Sequence, residues 1–106
     1  MEYTLIMVTA SSREEAEKIA TTLLERKLIA CANILGPVSS RFWWQGKIDS
    51  AEEYVIFMRT KRELFDQVAD NVKQLHSYEV PEIIALPIVE GAKPYLEWIN
   101  SSLAGE

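Results

Sequence analysis

The chain is poor in several kinds of residue, and each shortage excludes something. Cys31 is its only cysteine, so no disulfide can close within it. That fits a reducing compartment and leads us to expect a cytoplasmic protein. No run of Lys or Arg exceeds two residues, and 11 basic residues stand against 16 acidic ones, for a net charge of −5. Nucleic acid is bound through a basic face that neutralises phosphates, so neither nucleic acid nor an anionic membrane is expected as a partner. No stretch of about 18 apolar residues is present to cross a bilayer. The first residues, Met1 to Thr9, read as a strand and not as a leader. There is no G-x-S-x-G elbow, P-loop or G-x-G-x-x-G fingerprint, which argues against an enzyme.

What is present is an ordinary globular composition, 48% hydrophobic and 25% charged over 106 residues. One domain over residues 1–106 fits that length, and such a chain buries roughly 60–65% of its unfolded surface. Tyr3 to Thr9 is apolar and rich in β-formers. Ser11 and Ser12 then offer helix caps with Glu14 and Glu15 three residues on. Ala16, Ile19, Ala20, Leu23, Leu24 and Leu28 follow at helical spacing, predicting a helix over about 12–27 with Arg26 and Lys27 in its last turn. Ile29 to Leu35 reads as a strand that Gly36-Pro37 interrupts. Val38 to Trp44 and Glu53 to Arg59, joined through a Gln45-Gly46 turn, read as a long hairpin over 38–60. Thr60-Lys61-Arg62-Glu63 has the form of a second capping box, ahead of a stripe of Leu64, Phe65, Val68, Ala69, Val72 and Leu75. A loop through Pro81, a strand from Glu82 to Val89 and a short helix opened by Pro94 complete the chain.

The order β-α-β-β-α-β-α predicts an α+β fold of the ferredoxin-like, split βαβ kind, with an antiparallel sheet and helices on one face. The other face should carry apolar side chains, drawn from Phe42, Trp43, Trp44, Tyr54, Ile56 and Met58. Trp43 and Trp44 are adjacent in a strand, so they point to opposite faces and cannot both enter a one-sided core. An uncovered aromatic face is commonly an interface. Self-association is therefore expected, with Trp43 and Trp44 as interface candidates.

Few residues offer chemistry. Cys31 lies between two alanines and reads as a packing residue, with a thiol nucleophile as the alternative. His76, the only histidine, falls at a helix end. It reads as a capping or hydrogen-bonded loop residue or, more sharply, as a metal ligand that would suit copper. Cys31, Glu79 and Glu82 are its candidate co-ligands. Lys47, Arg59, Lys61 and Arg62 lie near the hairpin ends and read mostly as surface charges, a fraction of which could line an anion site between subunits.

Four stretches then resemble one family. Leu28 to Asn33, Trp44 to Ile48, Leu75 to Ile83 and Tyr95 to Ile99 are similar, in order, to the signature segments of the CutA divalent-ion-tolerance family. The resemblance implies a non-enzymatic homotrimer with a ferredoxin-like fold, in which the hairpin pairs with neighbouring subunits and covers the free strand edges. It also implies a part in tolerance to divalent ions, copper especially, with no obligatory cofactor. Cys31 matches the family's Ala-Cys position, and His76 matches the histidine of its His-Pro-Tyr motif, where Ser77 stands for the proline. Some members carry further ligands where this chain has Val8 and Leu75, so weak copper binding is implied. Arg59 keeps the charge of a common lysine. A likeness in fold to trimeric PII-type signalling proteins implies an alternative: a sensor holding a small anionic metabolite in inter-subunit clefts near Lys47, Arg59 and Tyr78. A purely structural or anchoring trimer is the remaining reading.

Overall fold

The computed structural model describes residues 2–103. Its strands are β1 (Tyr3–Ala10), β2 (Cys31–Trp44), β3 (Lys47–Lys61) and β4 (Ile83–Ile88), and its helices are α1 (Arg13–Glu25), α2 (Phe65–Leu75) and α3 (Lys93–Ser102). The strands form one antiparallel sheet in the order β2-β3-β1-β4. This is the split βαβ arrangement expected from the element order.

Alternation along β1 separates the two faces. Ile6, Val8 and Ala10 are fully buried and share their face with their β3 partners Met58, Ile56 and Tyr54. Ile19 and Leu23 of α1 and Val68 and Val72 of α2 close over that face, as their helical spacing requires. Ile56 and Met58 thus belong to the core, and Tyr54 packs against it under the Arg13 guanidinium, 5.0 Å from the ring centre. They do not supply the second face. That face is built instead by Leu5, Met7, Val55 and Phe57, half-buried, with Leu35, Ile84 and Leu86 more exposed. At one end α3 reaches it, through Tyr95 near Cys31 and Asn100 accepting from Lys61 Nζ at 3.1 Å.

Several local expectations are met or corrected. Ser12 caps α1 by accepting the Glu15 N–H at 3.0 Å. The helix ends at Glu25, not Lys27, because Lys27 turns left-handed at φ 57° and places Arg26 and Lys27 just past the last turn. β2 starts at Cys31, not Ile29, and runs through Gly36-Pro37 as a register shift between Leu35 and Val38. A Cβ at Gly36 would collide with the Tyr54 ring, so only glycine fits there. The Gln45-Gly46 turn has both φ values positive, 50° and 78°, as a two-residue type I′ hairpin loop demands.

The second capping box does not form. Thr60 is a fully buried residue of β3, and its hydroxyl donates to the Leu28 carbonyl at 2.7 Å. A 3₁₀ turn over Arg62–Leu64 precedes α2, with no side-chain cap at either. The T-x-x-E pattern is overruled because Thr60 pairs with Thr4 in the ladder and its β-branched side chain packs well there.

The last β1–β3 pair is Ala10 with Tyr54, whereas β2 and β3 remain paired out to Trp44 with Lys47. The outer half of the hairpin is therefore a two-stranded ribbon standing clear of the sheet. Trp43 and Trp44 near its tip are 73% and 59% exposed, and neither enters the core.

Candidate functional site

His76 follows the last residue of α2 with extended backbone, and its ring turns inward. No part of the side chain is exposed. Nε2 donates to the Thr9 carbonyl at 2.6 Å, and Nδ1 accepts the Tyr78 N–H at 3.0 Å. A carbonyl accepts only from a protonated nitrogen, and an amide donates only to a bare one. Those two bonds together assign the neutral imidazole with its proton on Nε2.

Glu15 lies beside this ring, with Oε2 3.3 Å from Nδ1. Its carboxylate receives the Ser77 N–H at 2.6 Å, the Ser77 hydroxyl at 3.0 Å, and the Ser11 hydroxyl at 2.5 Å. It thereby ties the start of α1 to the loop after α2. Burial pushes the Glu15 pKa up, but the hydrogen bonds from Ser11 and Ser77 outweigh it and hold the carboxyl below its usual value of 4.5. Ser77 thus supplies two donors to Glu15.

Tyr78 continues the chain of contacts. Its ring lies 4.8 Å from the imidazole, and its hydroxyl donates to Glu53 Oε2 at 2.8 Å. Burial first, and the neighbouring Glu53 carboxylate second, push the phenol up to about 12. It remains a hydrogen-bond donor throughout the physiological range. Beside it, at the base of the free hairpin ribbon, opens a cleft of about 800 Å³. Asp49, Glu53, Glu79 and Glu82 line it together with Phe42, Trp44 and Tyr78, and Arg41 is the single basic residue there.

The remaining candidates are elsewhere. Cys31 pairs with Arg59, which pairs with Leu5, four residues along β1 from Thr9. At about 3.3 Å per residue that is roughly 13 Å, so Cys31 and His76 do not form a thiol–imidazole pair within one chain. Arg59 Nε donates to Cys31 Sγ at 3.0 Å, and the Tyr95 oxygen lies 3.4 Å from the sulfur. The contact with Cys31, followed by burial, raises the Tyr95 pKa, while Arg59 opposes it. Lys47 is at the hairpin tip, paired with Trp44. Lys47, Arg59 and Tyr78 therefore occupy three separate places. Glu79 and Glu82 share the cleft but do not approach His76 as co-ligands, and among the described residues no three His, Cys, Asp or Glu side chains converge on a metal-sized site.

Sequence reasoning missed Glu15, Ser11, Ser77 and Tyr95. Glu15 had a signal, its place three residues after Ser12, but that announces a helix start and not a contact across the fold. Tyr95 had none.

The chain matches, over residues 4–102, the family described as CutA1 divalent ion tolerance protein. It is 48% identical over 101 residues to the divalent-cation tolerance protein CutA of Archaeoglobus fulgidus, covering 95% of this chain and 98% of that one. It is 38% identical over 98 residues to the chloroplastic protein CutA 1 of Oryza sativa, covering 92% of this chain and 55% of that protein. A solved structure described as the periplasmic divalent cation tolerance protein CutA from Archaeoglobus fulgidus superposes with a TM-score of 0.92 at 49% identity, over 94% of this chain and 97% of that one.

Proposed function

The chain belongs to the CutA1 divalent ion tolerance family, and from that membership we propose that it serves divalent-ion tolerance as a single-domain, non-enzymatic homotrimer. The observation that supports self-association is the free half of the hairpin. A two-stranded ribbon is marginal by itself in water, and its unpaired edges invite a neighbouring strand. Trp43 and Trp44 project from it, and Leu35, Ile84 and Leu86 leave an apolar sheet face open nearby. A second and third copy would cover both.

Metal contact in this reading is weak. With both His76 nitrogens engaged, a copper or similar ion would meet the exposed carboxylates Glu79 and Glu82 first. His76 would join them only by releasing Thr9 and Tyr78. Cys31 would serve as a separate soft donor at the far end of the sheet. The alternative of an anionic metabolite requires other subunits to bring Lys47 and Arg59 to Tyr78, since one chain offers an acidic cleft there. We place the protein in the cytoplasm from its cysteine content; its relatives are described as periplasmic in one case and chloroplastic in another.

Light scattering at micromolar concentration tests the assembly, run beside calorimetric titration with Cu²⁺ and Zn²⁺. A trimer with shallow, low-affinity metal isotherms is expected, and Trp44→Ala should weaken the assembly by about 3–5 kcal/mol if the indole is buried there. A monomer refutes the hairpin argument, and tight stoichiometric metal binding refutes the weak-contact reading.

A further inference from the structure

Arg59 is a charge in an apolar setting. It shares a row of the sheet with Cys31 on one side and with Leu5 and then Leu86 on the other. Its side chain therefore belongs to the second face, the one left open by α1 and α2. Nε donates to Cys31 Sγ at 3.0 Å and Nη2 donates to Asn33 Oδ1. The Tyr95 oxygen stands by the same sulfur at 3.4 Å. The guanidinium thus meets a thiol and a side-chain amide, with a phenol close by. The ion pairs of lysine and arginine among the described residues join Lys61 to Glu63 and Arg62 to Glu2, and no carboxylate reaches Arg59. Half-buried as it is, water still serves the charge. A second copy laid over Leu5 and Leu86 would take that water away, and a guanidinium desolvated without a counter-charge is costly. Assembly over this face therefore calls for an anion at Arg59.

The chain carries the complement elsewhere. Its acidic residues outnumber its basic ones 16 to 11. Two of them, Asp49 and Glu52, ride on the free hairpin ribbon, where both are exposed and neither joins an ion pair among the described residues. Glu52 stands seven positions before Arg59 on β3, roughly 23 Å along the strand at about 3.3 Å per residue, and Asp49 is farther. Neither carboxylate can reach the guanidinium of its own chain. The ribbon of a second copy can. The positive group on the sheet and the negative groups on the ribbon are different surfaces, so their contact is head-to-tail. Contacts of that kind close into rings when the rotation allows, as a trimer requires.

We propose that Arg59 is half of an ion pair between copies of this chain, completed by Asp49 or Glu52 on the hairpin ribbon of a second copy. The pair rests on the homotrimer reading above and adds to it the contact that sets one copy's orientation on the next. The test uses Arg59→Lys, which keeps the charge and offers an amine to a zero-length carbodiimide cross-linker. Gel electrophoresis and peptide mass spectrometry read the product. The expected result is a covalent dimer in which that amine forms an amide with Asp49 or Glu52. Arg59→Leu should weaken assembly about tenfold or more in light scattering across a dilution series. So should Asp49→Asn combined with Glu52→Gln, exposed ribbon changes that leave the core untouched; circular dichroism checks the fold of each. A wild-type monomer would sink the homotrimer reading and this pair with it. A wild-type trimer overturns the pair alone if the Arg59→Lys protein yields no such cross-link, or if the folded ribbon double variant assembles as tightly as wild type. Assembly that depends on added acetate or citrate would place a free carboxylate at Arg59 and overturns it too.

Discussion

In His76→Ala an imidazole is removed from a place where its side chain is wholly shielded from solvent. The Thr9 carbonyl loses the donor at 2.6 Å, and an orphaned, largely buried backbone acceptor costs about 1–3 kcal/mol. The Tyr78 N–H loses its acceptor at 3.0 Å; it lies nearer the surface and can find water, so its share is about 0.5–1.5 kcal/mol. Lost packing of the ring adds to both, for a total of at least about 1.5–4.5 kcal/mol. In a domain of this size each kcal/mol moves Tm by about 4–8 °C, so a fall of at least roughly 6 °C is expected. Circular dichroism melts, taken at matched protein concentration because assembly makes Tm concentration-dependent, would measure it. His76→Gln, whose side-chain amide reaches as far as Nε2 and can donate to Thr9, should recover part of the loss. A His76→Ala protein that melts at the wild-type temperature while losing Cu²⁺ binding would refute the reasoning. The ring would then be a free ligand and not a strut.

Two pH-dependent predictions follow from the same cluster. Glu15 titrates below its unfolded value of 4.5, so its stabilisation is present above that pH and fades as pH falls through the lowered folded value. Glu15→Gln should therefore be less stable than wild type at neutral pH, with the gap narrowing as pH falls below 4.5 in urea unfolding curves; a gap independent of pH would contradict this. Tyr78 titrates near 12 instead of 10, so its stabilisation is present below pH 10 and is lost as pH rises towards 12. Ultraviolet titration should show a late phenolate that Tyr78→Phe removes, and its survival in that variant would assign it to another tyrosine.

Thr60 and Glu15 show how far local pattern carries. Both stand in an S/T-x-x-E motif. At Ser12 and Glu15 the motif caps a helix, because an amphipathic stripe follows directly and no strand competes. At Thr60 and Glu63 the residue is claimed by the ladder with β1, and the motif is silent. The same holds for Ile56 and Met58, whose alternation is plain while the face they turn to is not. A strand reads identically from either side until something packs on it.

By itself the sequence determined the element order, the cap at Ser12, the two-residue turn at Gln45-Gly46 and the family. These rest on repeats of 2 and 3.6 residues or on short motifs, which are local properties of the chain. Only the tertiary structure decided which groups meet. It joined Glu15 to Ser77 across 62 residues and Tyr78 to Glu53 across 25. It turned His76 inward, and it kept Cys31 far from His76. Such contacts have no period along the chain. They follow from strand register and helix packing, which are settled only when the whole sheet closes on its core.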